Sequence, residues 1–363
     1  MDLGGRSAQT RWAYGPVADS LMVFGWVPLF LAAHLLVWQH GAGADHRLSA
    51  LVSATLLFSL VHQPLTLGLV YLDPDQRARQ QPGAVIAPFV AVAVIGGLLV
   101  TGLWWLAVPV AAGWNVMHTV HQRYGLLRVY ARKGGYGDAG TSARLDRALL
   151  YAILAAAVIV GLANGSIARQ LARVQLDSTI HDGIADLTRW QSAATVLLLP
   201  AIAMAGWLIL DIVRQEKAAG DKANPARWLY MTSVIALAIA IAIDPVAGFV
   251  AYVAGHSLEY FVVVDRTILS RPAARGPLAW LAGGRQRPLL ALVAVAVVLA
   301  ASLPWLAAEM DSVLYNTLVF SFGVLHFWFD GRIWKLRRPA VAATFGIAVV
   351  TGRPPSPAAS RPA

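Results

Sequence analysis

Apolar runs of about twenty residues recur along this chain and constrain its fold more than any other feature. A run of that length forms a helix long enough to cross the hydrocarbon core of a bilayer. Only helices and closed barrels satisfy their backbone hydrogen bonds in lipid, and these runs are too long for barrel strands. Hydrophobic residues make up 58% of the chain and charged residues 13%, whereas soluble domains carry about 25% charged residues. The sequence predicts an all-α, polytopic membrane bundle.

The apolar runs predict ten transmembrane spans. Their ranges are 18–38, 48–72, 83–102, 104–130, 146–163, 190–213, 227–243, 246–269, 287–303 and 311–334. We expect one helical domain (18–338) between a cytoplasmic N-terminal segment (1–17) and a cytoplasmic Ala/Pro/Arg-rich tail (339–363).

The positive charge is distributed unevenly between the two predicted sides of the membrane. With the N-terminus in the cytoplasm, all but four of the 29 Lys and Arg residues fall on the cytoplasmic side. The exceptions are Arg47, Arg169, Arg173 and Arg189. Cytoplasmic loops of membrane proteins carry such an excess. This distribution predicts that both termini are cytoplasmic, and we expect the protein in a bacterial inner membrane. It also accounts for the net charge of +10 without nucleic-acid binding.

Histidines occupy the cytoplasmic half of four of the five even-numbered spans. They are His62, His118 with His121, His256 and His326. Each of these spans ends in a basic cluster, so the histidines lie at a similar depth. A strongly polar side chain in the hydrocarbon region costs ~2.5 kcal/mol or more unless it has a partner. We therefore predict that these five histidines converge and bind a metal ion.

Other polar residues accompany the histidines. Glu259 follows His256 by one helical turn, and Asp330 follows His326 by four residues. A carboxylate so placed can bind the same metal or hold the imidazole ring in position. We expect further support or substrate contacts from Asn115, Gln122, Arg123, Tyr124 and Asp73. Arg123 and the basic cytoplasmic rim are expected to hold an anionic headgroup or a redox partner.

The absence of cysteine restricts the metal to nitrogen and oxygen ligands. Such ligands suit iron and other borderline divalent metals, including manganese, copper and zinc. We predict non-haem iron, either one ion held mainly by histidine or a pair bridged by a carboxylate.

The segment HTVHQ (118–122) resembles a histidine box of the membrane fatty-acid desaturases and hydroxylases, whose pattern is HxxHH, with Gln122 in place of the last histidine. The multi-span plan with dispersed histidines is similar to that of the bacterial membrane carotene dioxygenases. Both resemblances imply oxygen activation at membrane iron on a lipid-soluble substrate.

The sequence thus predicts a membrane oxidoreductase acting on a lipid or another apolar substrate. Two alternatives remain open. Two histidines on facing helices can serve as the axial ligands of haem b in an electron-transfer protein. Histidines and carboxylates can also form the relay of a transporter for protons, a metal ion or a small solute. A purely structural membrane scaffold is a third alternative, against which the polar groups at one depth on four helices argue.

Overall fold

A computed structural model of the chain describes residues 11–135, 141–174, 186–220, 223–269 and 288–347. Within these ranges the chain forms helices and no strand. The helices are α1 (Pro16–Phe24), α2 (Trp26–Trp38), α3 (Ala42–Tyr71), α4 (Pro74–Gln80), α5 (Gly83–Val100), α6 (Trp104–Gly134), α7 (Thr141–Ala163), α8 (Ser166–Leu171), α9 (Gln191–Ala219), α10 (Pro225–Ile243), α11 (Pro245–Leu269), α12 (Pro288–Glu309), α13 (Ser312–Ile333) and α14 (Pro339–Thr344). The predicted all-α class is confirmed.

Eight helical stretches among the described residues are long and apolar enough to cross a membrane. They include α1 with α2, and helices α3, α5, α7, α9, α10, α11 and α13. The two other predicted spans correspond to α6 and α12, helices of 31 and 22 residues that are not among the eight. The total of ten and the orientation therefore stay predictions.

Large apolar side chains point outwards from the bundle. On α5, Val85 and Phe89 are 55% and 74% exposed, and on α9, Val196 and Leu199 are each 76% exposed. Contiguous apolar surface of this kind is unfavourable in water but favourable against lipid tails. The outer surface thus agrees with a bundle embedded in a bilayer.

Helix α11 forms the centre of the bundle. It packs against α2, α3 and α10, and 83% of its most apolar stretch is buried. Small residues permit this close packing, as is common between membrane helices. A Cβ atom on Gly248 would lie 2.4 Å from the Cα atom of Ile241, and one on Gly255 would lie 2.9 Å from Cβ of Trp26. Because α11 is central, its polar residues His256, Ser257 and Glu259 are buried in the interior.

Hydrogen bonds join segments at one end of the bundle. The side-chain amide of Asn224 donates to the carbonyls of Arg11 and Tyr130, both at 2.9 Å. Beyond α13, the short helix α14 buries Val341 and Ala342. The first residues of the predicted tail therefore pack on the bundle, and residues 348–363 lie outside the described ranges.

Candidate metal centre

Four histidines from four helices meet inside the bundle. His62 of α3, His118 of α6, His256 of α11 and His326 of α13 each offer a ring nitrogen, and these four atoms lie within 4.8 Å of one another. All four side chains are buried. The predicted convergence is confirmed for these four residues, which we call the histidine cluster. The cluster can hold a metal ion.

The spacing of the nitrogens suits a single ion. The Nε2 atom of His326 lies 3.2 Å from Nε2 of His62 and 3.1 Å from Nε2 of His118. The ring of His256 completes the group, with its centroid 5.0 Å from that of His62 and 5.1 Å from that of His118. Imidazole nitrogens bound tetrahedrally at ~2.0–2.1 Å from a metal lie about 3.3 Å apart. The observed separations are close to this value.

Hydrogen bonds orient the ring of His326. Its Nδ1 atom lies 2.6 Å from the hydroxyl oxygen of Thr66, and that hydroxyl donates to Oδ1 of Asp330 at 2.8 Å. A carboxylate accepts hydrogen bonds, so the Thr66 proton points to Asp330 and the Thr66 oxygen accepts from Nδ1–H of His326. The Nε2 atom of His326 then carries a lone pair directed into the cluster.

The ring of His62 is oriented in the same way. The Ser257 hydroxyl donates to the carbonyl of Val253 at 3.2 Å, and its oxygen lies 3.1 Å from Nδ1 of His62. With its proton on Nδ1, His62 would donate to this oxygen, and its Nε2 atom would present a lone pair. In these tautomers two lone pairs face each other across the 3.2 Å between His62 and His326. A cation bound by both nitrogens removes this repulsion.

His256 supplies a second indication that the cluster binds an ion. The side chain is 1% exposed, and neither ring nitrogen has a hydrogen-bond partner among the residues that the structure describes. Buried polar atoms are nearly always paired, so such an imidazole requires an explanation. Coordination to an ion would satisfy the nitrogen that faces the other three rings.

The two predicted carboxylates occupy different surroundings. Oδ2 of Asp330 lies 3.7 Å from Nε2 of His118 and 3.8 Å from Nε2 of His326. Its other oxygen, Oδ1, also accepts from Tyr260 at 2.9 Å and from Trp334 at 3.2 Å. Asp330 therefore adjoins the histidine cluster, with one oxygen anchored and the other facing the rings.

Glu259 belongs to a neighbouring buried network. Its oxygens accept hydrogen bonds from Tyr230 and from the side-chain amide of Gln122, each at 3.1 Å. Arg123 lies 3.6 Å from the same carboxylate, and its guanidinium stacks 4.3 Å from the centroid of the Tyr252 ring. The Gln122 amide also donates to the carbonyl of His256 at 3.1 Å. The network thus touches the helix that carries His256, and it holds Arg123 inside the bundle instead of at the rim.

The remaining predicted residues lie away from the four rings. His121 is exposed, 3.2 Å from the Tyr151 hydroxyl. Tyr124 is half-buried beneath the guanidinium of Arg147, and the carbonyl of half-buried Asn115 accepts from Thr119 at 3.0 Å. Asp73 accepts from the backbone N–H of Gln76 at 3.3 Å, near the start of α4. HTVHQ therefore contributes His118 but not His121 to the cluster.

Sequence reasoning missed the hydroxyl groups that orient the rings. Thr66 lies four residues after His62, Ser257 follows His256 directly, and Tyr260 lies four residues after His256. A search for any polar residue within one turn of each histidine would have found them. The sequence prediction named other polar neighbours, among them Gln122, Arg123 and Tyr124, but not these three hydroxyl groups.

A cavity of about 840 Å³ reaches the cluster at His118 and Asp330. Its wall includes the apolar side chains of Trp114, Met117 and Phe327. Trp114 and Met117 are 39% and 48% exposed on the outer surface of the bundle. The cavity has a volume typical of ligand sites, and it gives a small or chain-like molecule access to one side of the cluster.

The chain matches no known protein-family model, and no curated protein or solved structure is detectably similar to it. The resemblances to the desaturase histidine box and to the carotene dioxygenase plan therefore stay predictions.

Proposed function

We propose that this protein is a membrane-embedded, metal-dependent oxidoreductase that acts on a lipid-soluble substrate, with non-haem iron bound by His62, His118, His256 and His326. The observation that carries the proposal is the meeting of four buried imidazoles, in which the Nε2 atoms of His62 and His326 lie 3.2 Å apart and their Nδ1 atoms lie beside the hydroxyl groups of Ser257 and Thr66. Buried imidazoles without thiolates suit iron, copper or zinc. Only one carboxylate, that of Asp330, lies beside the described cluster, which favours one ion over a bridged pair.

The cavity favours a catalytic centre over a structural one. Structural metal sites are closed by protein ligands, whereas catalytic sites keep a position open to substrate. Four imidazoles would close a tetrahedral ion, but iron accepts up to six ligands and would keep a position open on the cavity side. Here His118 and Asp330 line a cavity with apolar walls. Iron held there would supply oxygen activation for hydroxylation, desaturation or cleavage, with dioxygen as the oxidant and a cytoplasmic redox partner where electrons are required.

The residues around the ion have separate tasks in this proposal. Thr66 and Ser257 hold the rings of His326 and His62. The free oxygen of Asp330 can bind the ion or accept a proton from the substrate, and the Tyr260 hydroxyl keeps that carboxylate in place. Trp114, Met117 and Phe327 exclude water and bind the apolar part of the substrate.

The crowding of the four rings argues against haem b. The ring centroid of His326 lies 4.8 Å from that of His62 and 4.6 Å from that of His118. A porphyrin between two of these imidazoles would need the space that the other two occupy. Transport of a metal ion or protons is a further alternative, and the same cluster would then be a transient binding site.

Metal analysis of purified protein tests the proposal, with His118→Ala and His256→Ala as variants and His121→Ala as the matched control. We expect stoichiometric iron in the wild type and in His121→Ala, and its loss in the other two. Anaerobic reduced protein exposed to nitric oxide should give the electron paramagnetic resonance signal of non-haem iron with an open position. A folded wild type that binds no metal would contradict the proposal. A Soret band would favour haem, and metal uptake into proteoliposomes would favour transport.

A further inference from the structure

The cavity beside the histidine cluster is strongly positive at the end remote from the four rings. Cationic side chains line it together with Asp330, the one carboxylate among its described lining residues. They are Arg128, Arg132, Arg147, Lys335 and Arg337. A narrow cavity with charge of one sign concentrates the field and attracts oppositely charged ligands.

Three of these cations have no carboxylate partner in the part of the chain that the structure describes. Arg128 forms an ion pair with Asp146 at 2.9 Å, and Arg132 donates to the carbonyl of Leu336 at 3.1 Å. Arg147, Lys335 and Arg337, in contrast, form no ion pair within the described ranges. We call these three residues the cationic rim. Their charges are available to a ligand.

The cationic rim and the histidine cluster lie at different positions along the cavity. Ile333, the last residue of α13, follows His326 by seven residues, or roughly 10 Å at the helical rise, and Lys335 lies two residues beyond that helix end. Arg147 lies over the ring of Tyr124.

On the rim side of His118, the wall includes Val263 and Phe327, and the Phe327 ring lies 4.7 Å from that of His118. Trp114 and Met117 precede His118 on α6 and line the cavity on the other side of this residue. The cavity therefore has cations at one end, apolar side chains on both sides of His118, and the exposed ring of Trp114 at the other end.

From this polarity we propose that the substrate is an amphiphile with an anionic headgroup, a carboxylate or a phosphate, bound by Arg147, Lys335 and Arg337. Its apolar chain passes Phe327 and His118 and continues along Met117 towards Trp114. The reacting carbon is then inside the chain and not beside the headgroup. The inference rests on the proposed function, and it names the substrate class for that site. Arg123, which we expected to bind the headgroup, pairs with Glu259 and does not line the cavity.

Binding of dansyl-undecanoic acid and its methyl ester to the full chain in phosphatidylcholine nanodiscs tests the inference. The test variant is Arg147→Gln/Lys335→Gln/Arg337→Gln. The control, Arg77→Gln/Arg79→Gln/Arg144→Gln, removes equal charge from exposed residues outside the cavity. We expect the test variant to bind the acid at least about tenfold more weakly, because charge-assisted contacts are lost, and to bind the ester as the wild type does.

An equal loss of acid and ester affinity, an equal loss in the control, or no loss would overturn the inference. Added phosphatidylglycerol identifies the source of the headgroup. Competition with the probe points to a bilayer lipid, and no competition points to a single-chain acid from outside the bilayer. Metal content separates this inference from the proposed function. The test variant should retain metal, whereas His118→Ala should lose metal and still prefer the acid over the ester.

Discussion

The hydroxyl groups of Thr66 and Ser257 decide which ring nitrogens of His326 and His62 face the histidine cluster. Each hydroxyl has a better acceptor for its own proton, either the Asp330 carboxylate or the Val253 carbonyl. Each can therefore accept from Nδ1–H of its histidine. Partners of this kind set the tautomer, the orientation and the basicity of metal-binding imidazoles. Two uncharged side chains thereby direct the Nε2 lone pairs of His62 and His326 towards a site for a cation.

Replacing Thr66 with valine should weaken metal binding. The substitution keeps the shape of the side chain but removes the acceptor for Nδ1–H of His326, and loss of such a partner typically costs 10–100-fold in affinity. Competition against a chelator of known affinity measures the change. Thr55→Val is the control, since Thr55 is also buried in α3. Wild-type affinity in Thr66→Val would show that the hydroxyl does not orient the ring.

At the scale of helices, the close contact between α10 and α11 is a condition for the position of His256. Only Asp244 separates the two helices, and its carboxylate accepts from the backbone N–H of Ala247 at 3.1 Å. Gly248 then allows α11 to pass within contact distance of Ile241. Since His256 lies two turns further along α11, this contact helps to set its place relative to the other helices.

Gly248→Ala should therefore destabilise the protein. Its Cβ would lie 2.4 Å from a backbone atom of Ile241, and overpacking of this kind costs about 1–3 kcal/mol. Thermal unfolding in detergent should show a lower midpoint for this variant. Gly206→Ala in α9 is the matched control, because a Cβ there meets nothing within 4 Å. Equal midpoints for the two variants would contradict the close contact.

In the whole molecule, the histidine cluster connects helices that are far apart in sequence. His62 and His326 are 264 residues apart, and His118 and His326 are 208 residues apart. An ion bound by all four rings would join α3, α6, α11 and α13. A ligand that binds only the folded state stabilises it by linkage, so we expect the ion to contribute to stability as well as to chemistry.

Removal of the metal should accordingly lower the thermal stability of the whole bundle. At a free metal concentration of 100 times Kd, linkage contributes about 2.7 kcal/mol. Unfolding midpoints of the wild type with and without a chelator measure this contribution. His256→Ala should start at a lower midpoint and respond little to the chelator. A wild type indifferent to chelation would show that no ion joins the four helices.

The sequence by itself determined the helical class, the membrane character and the helices that carry His62, His118, His256 and His326. Hydropathy, charge and depth all vary along the helix axis, so each can be read from the order of the residues. Only the tertiary structure decided that His118 enters the cluster while His121 faces Tyr151, and that Asp330 adjoins the rings while Glu259 pairs with Arg123. Residues three or four apart share a broad face of a helix, but the rotation of that helix and the identity of its neighbours follow from packing. Packing also brought Thr66 and Ser257 to the rings that they orient.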